Sequence, residues 1–398
     1  MVRPAEIQID LARSAGTATK GDQLLRLIRA SQPVTRTELA ERLGVDKSTV
    51  TETIKPLVSS GMLLEEAMNG GSQGRKRRVL SFAPSNDYFV GINLGVRHTQ
   101  VGATSLNGDI VDESDFETPK SADSALRIVR ERIAAITSSR NGRLPNVIGV
   151  SVPGMTDANR TGLLFAPNLS WRNLDIASSL TTNNETKVVV ENDATAAAMF
   201  EARVRIRDSE TGLMSNFILV RSGTGIGVGL VIGSEVYRGS GVGRGVAGEF
   251  GHMTIVAGGK PCVCGNRGCW EKYASAASAA SLYMGDRPPK GNETVPKFVE
   301  IVAKAENGEV RSQRTLEKIG EYLGIGIANV IMGIGIPRVV ISGRLVYAWS
   351  FIEGPIREAI GRSIVGKIDG WSVEAGEPVG SAIGGALEVA VDEYLSTL

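Results

Sequence analysis

All three cysteines of the chain lie within eight residues, in the segment Cys262-Val263-Cys264-Gly265-Asn266-Arg267-Gly268-Cys269. One of its two histidines, His252, stands ten residues before the first of them. Three thiolates and one imidazole complete a tetrahedral shell for Zn²⁺ and leave no position for a reactive water, which is typical of a structural site. Gly265 and Gly268 can adopt positive φ without steric cost, so the segment can turn tightly. The sequence therefore predicts a zinc loop over residues 252–269, with His252, Cys262, Cys264 and Cys269 as ligands.

Other uses of the cysteines are less favoured. The first alternative is a cluster of reduced cysteines that holds no metal. A disulfide framework is disfavoured because the cysteine count is odd and a chain of 398 residues can bury a core without crosslinks. No signal peptide and no apolar run of membrane-spanning length is apparent, so we expect a cytoplasmic protein with no membrane partner.

Basic and acidic residues nearly balance over the whole chain, with 44 Lys and Arg against 43 Asp and Glu. This balance excludes a protein that binds nucleic acid over its entire surface. Residues 1–84 nevertheless carry 13 basic and 9 acidic residues, so an excess of positive charge is confined to the N-terminal fifth. The asymmetry predicts a basic module at residues 1–84, appended to a larger body at residues 85–398.

The N-terminal module shows the pattern of three short amphipathic helices. The apolar face of the first comprises Leu24, Leu25, Leu27 and Ile28. Thr35 or Thr37 would begin the second helix, and Gly44 would close it. Asp46 or Ser48 would begin the third, which Pro56 would kink or end early. Two helices joined by a glycine turn are typical of a helix-turn-helix domain.

A β-hairpin with a basic flank is expected after the third helix. Residues 62–66 and 79–82 would form its strands, around a glycine-rich tip at residues 69–74 and the basic run 75–78, as in the wing of a winged helix. Hydroxyl and basic side chains suit phosphate and base-edge contacts in a major groove. The predicted DNA-binding residues are Thr35, Arg36, Lys47, Ser48, Thr49, Thr51, Lys55, Arg75, Lys76, Arg77 and Arg78. The alternative is a three-helix interaction domain followed by a solvated basic linker.

Beyond Pro84, short apolar strands precede and then alternate with helices. The expected strands span residues 88–95, 100–104, 146–152, 187–190, 217–221, 225–232 and 338–342. The expected helices lie near residues 122–139, 193–206, 270–284, 294–305 and 312–332. A hairpin followed by alternating strands and helices, repeated twice, predicts two α/β lobes with a cleft between them. The lobes would comprise approximately residues 85–205 plus the C-terminal helix, and residues 206–380.

The body resembles the ROK family (repressors, open reading frames and kinases), in its transcriptional-repressor branch. The motifs that carry the resemblance are the run 248–252 (Gly-Glu-Phe-Gly-His), the cysteine loop followed by Glu271, the run 191–194 (Glu-Asn-Asp-Ala), and residues 166–169 (Ala-Pro-Asn-Leu) with Trp171. The resemblance implies an actin-like sugar-kinase body, a ribonuclease H-like ATPase fold. The expected fold class is therefore α/β, with an N-terminal winged helix-turn-helix before the two lobes.

A sugar site follows from the same resemblance. The positions that match the polar ring around the sugar in that family are Asn168, Asn192, Asp193, Glu249, His252 and Glu271. Carboxylates and amides pair with vicinal hydroxyls, and such pockets discriminate strongly because an unmatched buried polar group is costly. His252 would bind the metal through one ring nitrogen and face a ligand hydroxyl through the other.

Whether the body is an enzyme depends on the first hairpin. In kinases of the family, Asp193 would be the general base, and an Asp-x-Gly-Gly-Thr turn would hold the phosphates of a magnesium nucleotide. This chain has Asn93-Leu94-Gly95-Val96-Arg97 there, so Val96 crowds the phosphate and Asn93 removes a charge that would organise magnesium. A second glycine loop at residues 223–227 is intact, which is weak support for a kinase. We expect no catalysis, with Asp193 as a vestigial base and His98 as a partly buried residue of no function.

These features predict a DNA-binding transcriptional regulator, acting as a repressor of carbohydrate metabolism genes, with a sugar or sugar derivative as effector and Zn²⁺ as a structural cofactor. A homodimer or homotetramer on an inverted repeat of operator DNA is the geometric expectation. Lobe closure around the sugar would change the spacing of two winged helices. Two alternatives stay open: an ATP-dependent sugar kinase with an attached DNA-binding domain, and a regulator whose partner is another protein. The sugar, its phosphorylation state and its direction of action stay open as well.

Overall fold

The computed structural model describes residues 20–68, 77–108, 110–181, 186–208, 216–239, 246–290, 293–378 and 380–398. These residues form a small N-terminal domain of three helices and a hairpin, followed by a body with two five-stranded sheets. Within the same ranges, no helix combines the length and the apolar character needed to cross a membrane.

The N-terminal domain has the predicted order of elements. Its elements are α1 (Lys20–Ser31), α2 (Arg36–Leu43), α3 (Lys47–Ser59), β1 (Leu63–Met68) and β2 (Arg77–Phe82), the last two paired antiparallel. The four predicted apolar residues of α1 are buried. Gly44 closes α2 in the left-handed conformation, with φ 61° and ψ 36°, so the predicted turn is confirmed. Pro56 was expected either to kink α3 or to end it early. An early end is wrong, because the helix continues to Ser59.

The first sheet of the body is built from the region after Pro84. Its elements in chain order, with a small three-stranded sheet (β7 to β9) inserted, are β3 (Phe89–Leu94), β4 (His98–Thr104), β5 (Ile110–Glu117), α4 (Ala122–Ser138), β6 (Val147–Val152), β7 (Met155–Thr156), β8 (Gly162–Ala166), β9 (Trp171–Asp175), α5 (Ile176–Leu180), β10 (Lys187–Asn192) and α6 (Asp193–Asp208). Strands β3 and β6 are buried along their whole length, which explains their continuous apolar sequences.

The second sheet follows the same plan with more helices. Its elements are β11 (Phe217–Ser222), β12 (Ile226–Ile232), β13 (Glu235–Val236), a 3₁₀ turn (Glu249–His252), α7 (Glu271–Ala274), α8 (Ser278–Tyr283), α9 (Phe298–Glu306), α10 (Val310–Ile334), β14 (Arg338–Gly343), a 3₁₀ turn (Arg344–Ala348), α11 (Trp349–Arg362), a 3₁₀ turn (Val365–Lys367) and β15 (Ser372–Ala375). The final helix is α12 (Ser381–Leu395).

The two sheets have the same topology. Their strand orders are β5-β4-β3-β6-β10 and β13-β12-β11-β14-β15. In each sheet, the first three strands of the sequence form an antiparallel meander. The fourth strand pairs in parallel with the first, and the fifth pairs in parallel with the fourth. The predicted pair of α/β lobes, each opening with a hairpin, is therefore present.

Helix α12 returns to the first sheet and packs directly on its backbone. A Cβ atom at Gly149 would lie 2.3 Å from the carbonyl oxygen of Ala386, and one at Gly91 would lie 2.7 Å from the side chain of Leu387. Glycine is therefore required on both strands for the helix to approach. The contact joins the C-terminal helix to the first sheet.

Several elements differ from the sequence-based expectation. The predicted helix at residues 270–284 is interrupted, because Ser275 is extended (φ −81°, ψ 158°) and separates α7 from α8. Helix α9 begins at Phe298 rather than at residue 294. Strands β5 and β15, the small sheet and α11 were not predicted; α11 contains Pro355, which hides its helical pattern.

Candidate functional site

The four predicted metal ligands converge. The candidate ligand atoms of His252, Cys262, Cys264 and Cys269 all lie within 4.8 Å of one another. The sulfurs of Cys264 and Cys269 are 3.7 Å apart, and Nδ1 of His252 lies 3.5 Å from the sulfur of Cys262. A tetrahedral metal ion with usual bond lengths would separate two sulfurs by about 3.8 Å, and a nitrogen and a sulfur by about 3.6 Å. The donor set and its spacing therefore fit a tetrahedral metal ion.

Local backbone geometry brings the sulfurs together. Gly265 and Gly268 have φ of 96° and 77°, the conformations predicted for them. A Cβ atom at Gly268 would lie 1.8 Å from the carbonyl oxygen of Val256, so only glycine fits there. Burial raises the pKa of the Cys262 and Cys269 thiols. A bound cation would be needed to hold these sulfurs as thiolates, which is the form that ligates metal.

The metal cluster is joined to a large cleft. Glu271, at the start of α7, has Oε1 3.1 Å from the sulfur of Cys262. The second ring nitrogen of His252, Nε2, faces the carboxylate of Glu249 at 3.7 Å. The two ring nitrogens of His252 thus have different neighbours, the Cys262 sulfur on one side and the Glu249 carboxylate of the cleft on the other. The shape of the loop therefore affects the position of two carboxylates in the cleft wall.

All six residues of the predicted polar ring line this one cleft between the lobes. They are Asn168, Asn192, Asp193, Glu249, His252 and Glu271. Asn192 ends β10, and its Oδ1 accepts from the backbone N–H groups of Ala194 and Thr195 at 2.9 and 3.1 Å, which caps helix α6. Its Nδ2 donates to the Gly154 carbonyl at 2.9 Å. Asn192 and Asp193 are therefore held in place by a helix terminus rather than by a loose loop.

Negative charge accumulates on this wall of the cleft. Burial, together with the charges of Asp193 and Glu271, raises the pKa of Glu249 to about 7. Asp193 is partly neutralised by Arg221, whose Nη1 donates to its Oδ2 at 2.7 Å. Arg221 was not identified from the sequence. Its signal was a charged residue inside the otherwise apolar strand β11.

The turn that would hold nucleotide phosphates also lies in the cleft wall. Asn93 is buried, its Nδ2 donates to Gln100 and its Oδ1 accepts from Ser151, both at 3.1 Å. The Asn93 amide is thus used to join neighbouring strands. Val96 and Arg97 line the cleft beside it. The prediction that His98 is partly buried is wrong: its side chain is 58% exposed, pairs with Asp115 at 2.9 Å and borders the cleft.

Two protein-family models match the chain. The family model described as "ROK family" matches residues 89–389. The chain belongs to the ROK family. A second model, "MarR family", matches residues 23–66, which span α1 to the first wing strand.

Curated relatives of this ROK chain include repressors and kinases. The xylose repressor of Bacillus subtilis is 29% identical over 87% of each chain. The putative xylose repressor of Caldicellulosiruptor sp. is 30% identical over 80% of this chain and 81% of that protein. The glucokinase of Streptomyces coelicolor is 28% identical over 70% of this chain and 88% of its own length. The repressor matches extend over more of this chain than the kinase match does.

Solved structures similar to this chain also include both a regulator and a kinase. A ROK family transcriptional regulator, a homologue of the Escherichia coli MLC protein, aligns with a TM-score of 0.73 over 94% of this chain and 96% of its own, at 22% identity. That likeness shows that the winged helix and the ROK body share its fold. A ROK glucokinase of Streptomyces griseus, in complex with glucose and AMPPNP, aligns with a TM-score of 0.64 over 76% of this chain and 99% of its own, at 25% identity.

The predicted DNA-contacting face of the ROK chain is centred on α3. Lys47, Ser48 and Lys55 are exposed, and Thr49 and Thr51 are half-buried. The hydroxyl of Thr51 donates to the carbonyl oxygen of Lys47 at 2.8 Å, so it is already bonded within the helix. The exposed first turn of α3 follows directly on the Gly44 turn, the arrangement in which a recognition helix presents its N-terminal residues.

Two residues of the predicted DNA-contacting set also make contacts within the N-terminal domain. Thr35 is buried and caps α2: its hydroxyl accepts from the backbone N–H of Glu38 at 3.2 Å and donates to the Glu38 carboxylate at 2.8 Å. This capping box uses the only donor of the Thr35 hydroxyl, so Thr35 has a structural role in the domain, and its contact with DNA stays a prediction. Arg36 makes two 3.0 Å bonds to Glu65 of β1, which joins α2 to the wing.

The basic wing is only partly described. Arg77 and Arg78 of β2 are 62% and 67% exposed, and they pair with Glu38 at 3.0 Å and Glu65 at 3.5 Å. Exposed pairs of this kind exchange readily for other partners because they contribute little to stability. Arg75 and Lys76, which were also predicted to contact DNA, lie outside the described residues.

Proposed function

We propose that this ROK protein is a transcriptional repressor of carbohydrate genes, and that a sugar bound in its cleft changes the affinity of its winged helix for operator DNA. The observation that carries the proposal is the course of helix α6. It begins at Asp193 in the cleft wall, and its other end contacts the N-terminal domain. A single rigid element therefore connects the candidate sugar site to the candidate DNA-binding domain.

Buried charges make this connection. Arg29 of α1 and Arg203 of α6 both pair with Glu388 of α12, the second at 2.6 Å. The side chains of Arg29 and Glu388 are only 4% and 8% exposed. Arg42 of α2 adds a bond to the carbonyl oxygen of Ile206 at 3.1 Å. A buried carboxylate between two guanidinium groups tolerates little misplacement. A shift of α6 would therefore change the position of α1.

A further pair of contacts reaches both lobes. Arg26 of α1 pairs with Asp392 of α12 at 2.6 Å and with Glu235 of β13 at 3.3 Å. Asp392 belongs to the helix packed on the first sheet, whereas Glu235 belongs to the second sheet. The N-terminal domain is therefore in contact with both lobes, and a change in the angle between the lobes would alter its support.

The sugar would act through such a change. Its hydroxyls would be held by Asn168, Asn192 and Asp193 from the first lobe and by Glu249, His252 and Glu271 from the second. A ligand that bridges both walls favours the closed arrangement by its difference in affinity for the two forms. A coupling of about 1–3 kcal/mol is the usual size of such an effect and would change operator affinity by about 5-fold to 150-fold.

Zinc is the metal proposed for the cluster of His252, Cys262, Cys264 and Cys269. When bound, it would supply four fixed bonds and no reactive water, so its role would be to hold the loop whose two ends are flanked by Glu249 and Glu271. A pair of protomers, as a homodimer or within a homotetramer, would place two α3 helices on an inverted repeat.

Kinase activity is the second candidate, favoured by the retained Asp193 and by the glucokinase relatives. Against it stand the crowded turn at Val96 and the ion pair between Asp193 and Arg221, which engages the would-be base. A carboxylate oxygen that already accepts from a guanidinium has less capacity left to accept from a sugar hydroxyl. ADP release above background across neutral sugars, abolished by Asp193→Asn, would establish the kinase instead.

The repressor proposal is tested by selecting operator sequences from a randomised duplex library with the purified full-length protein. The dissociation constant of the selected duplex is then measured with and without D-xylose, D-glucose, D-mannose and N-acetylglucosamine. Lys47→Ala should weaken binding to all selected sequences by about the loss of one phosphate contact and reduce the salt dependence by about one charge. Failure to enrich any sequence, or enrichment unaffected by Lys47→Ala, would contradict the assigned DNA face.

A further inference from the structure

A second cavity lies where the N-terminal domain meets both lobes. Its walls come from α1, α6 and α12 and from the hairpin of β12 and β13. It has a volume of about 80 Å³, several times what one buried water needs, so it can hold a small molecule. It shares no lining residue with the sugar cleft in the ranges that the structure describes. We call it the junction cavity.

Part of the junction cavity carries an excess of positive charge. Arg29 and Arg203, which both line it, donate to separate oxygens of the Glu388 carboxylate. No other carboxylate among the described residues pairs with either of them. Two guanidinium groups therefore share one counterion, whereas Arg26 in the same wall already pairs with two carboxylates. A ligand with one negative charge is attracted to Arg29 and Arg203.

Arg29 also has unused donors. Its Nη1 donates to Glu388, but Nε and Nη2, which form the other edge of the guanidinium group, are buried and have no hydrogen-bond partner in the described part of the chain. The whole side chain is only 4% exposed. Buried charged donors without an acceptor cost free energy, and native structures contain few of them. Two parallel N–H groups on one edge match the two oxygens of a carboxylate.

A further arginine in the wall has spare donor capacity. The Nε of Arg238 donates to Glu191 at 2.6 Å, while its Nη2 lies 3.8 Å from the sulfur of Met199. A thioether is a weak acceptor. Met199 and Arg238 both line the junction cavity, so this end of the guanidinium group lies at its wall.

The remaining wall is largely apolar. The apolar residues that line the junction cavity are Met199, Ala202, Ile206, Val231, Val236 and Leu395. A phosphate or sulfate ion would lose its hydration against such a wall and has no apolar part to place there. A carboxylate with a short hydrocarbon chain can satisfy both the arginines and the apolar surface.

We infer that the junction cavity binds a small monocarboxylate, with its oxygens on the free edge of Arg29 and its hydrocarbon chain against the apolar wall. Because this edge is buried, the Arg29 head group turns toward the cavity when the ligand enters. The ligand then contacts the N-terminal domain and both lobes, and it stabilises their junction. The inference goes beyond the proposed function, since it requires neither the sugar nor the operator.

Thermal unfolding of the purified full-length protein tests the inference. Acetate, propionate, butyrate and isovalerate are compared with chloride at constant pH and ionic strength. At least one carboxylate should raise the Tm in a saturable manner, because a ligand that binds only the folded state stabilises it. If none does, water satisfies Arg29 and the inference is overturned. Inorganic phosphate or sulfate that binds more tightly than every carboxylate would overturn it as well.

Two substitutions locate the ligand, with calorimetric titration of the best carboxylate as the measurement. Arg29→Lys keeps a charge beside Glu388 but removes the two-donor edge, so it should weaken binding by about tenfold or more. Ala202→Leu fills the junction cavity without removing a charge and should abolish binding. Ala135→Leu, at an exposed position of α4, is the matched control and should change nothing.

The outcomes separate this cavity from the sugar cleft. Wild-type affinity in Arg29→Lys would overturn the inference, and this variant decides alone if Ala202→Leu does not fold. Carboxylate binding that is lost in Glu249→Gln but kept in Arg29→Lys would place the ligand in the cleft and also overturn it. Failure to select an operator would contradict the proposed function and leave the junction cavity unaffected.

Discussion

The metal loop and the contact between the winged helix and the body are both built from ionisable side chains, but they are assembled in opposite ways. The four candidate metal ligands come from residues 252–269, so a short segment contains the whole site. Arg29 and Glu388, at the centre of the domain contact, are 359 positions apart. The first region depends on local turns and has a donor set that a metal ion would fit, whereas the second depends on the complete fold.

The metal loop and the domain contact also differ in what stabilises them. Burial raises the pKa of the Cys262 and Cys269 thiols, so a bound cation would be needed to hold them as thiolates in the loop. The domain contact needs no added component, but each of its charges is stable only while its partner is present. Loss of one ligand should therefore damage the cleft, and loss of one charge should damage the connection between cleft and winged helix.

The largest effect is expected at the metal loop. Cys269 is fully buried, so Cys269→Ser should abolish metal binding and weaken sugar binding by about 100-fold, since the loop would no longer hold Glu249 and Glu271 in place. Metal content and calorimetric titration with the best sugar of the screen measure the two effects. A variant without metal that still binds sugar normally would show that the loop is independent of the cleft.

The next effect concerns the buried charges. Glu388→Gln leaves two guanidinium groups without their carboxylate and should destabilise the protein by about 3–5 kcal/mol. Thermal or urea-induced unfolding measures the loss. Glu374→Gln is the matched control, because Glu374 also pairs with an arginine but is 46% exposed, and it should cost at most about 1 kcal/mol. Equal losses in the two variants would contradict the account of the domain contact.

The same pair predicts a pH dependence. Burial acts to raise the pKa of Glu388, but the charges of Arg29 and Arg203 outweigh burial and lower it below its usual value of 4.5. The stability that this carboxylate contributes is therefore present above pH 4.5 and is lost as the pH falls through the lowered pKa. Unfolding curves of the wild type and Glu388→Gln should converge as the pH falls below 4.5. A constant difference down to pH 3 would exclude this origin.

The smallest effect is expected at the edge of the same contact. The side chains of Arg26, Glu235 and Asp392 are 20–26% exposed, so Arg26→Gln should lower stability by only about 1 kcal/mol. It should also reduce the effect of sugar on operator affinity, since Arg26 contacts both lobes. A loss of stability as large as that of Glu388→Gln would show that the energetic distinction between centre and edge is wrong.

The comparison also explains what could be predicted from the sequence. The cysteine spacing, the Gly44 turn and most strands of the two sheets are local patterns. They correctly indicated the convergence of the four candidate ligands, the helix-turn-helix and the two lobes, whereas metal binding stays a prediction. The polar ring came from a family resemblance rather than from local chemistry. Its residues lie at separated positions from Asn168 to Glu271, and no periodicity links them.

The residues that sequence reasoning missed depend on partners far along the chain. Nothing in the sequence around Arg29 indicates Glu388, and nothing around Asp193 indicates Arg221. Thr35 shows a different difficulty, because a threonine before a helix suits both a capping box and a phosphate contact, and the structure shows the capping box with Glu38. Helix α11 was missed because Gly354 and Pro355 interrupt its propensity while tertiary packing maintains the helix.

The central claim is that occupation of the cleft changes operator binding through the body of the protein. It is tested most directly by titrating the selected operator with wild-type protein and with Glu249→Gln, each with and without the sugar that binds most tightly. The account predicts a saturable, at least fivefold change in the operator dissociation constant for the wild type and none for the variant at the same sugar concentration. An unchanged operator constant while calorimetry shows the cleft to be saturated would contradict it.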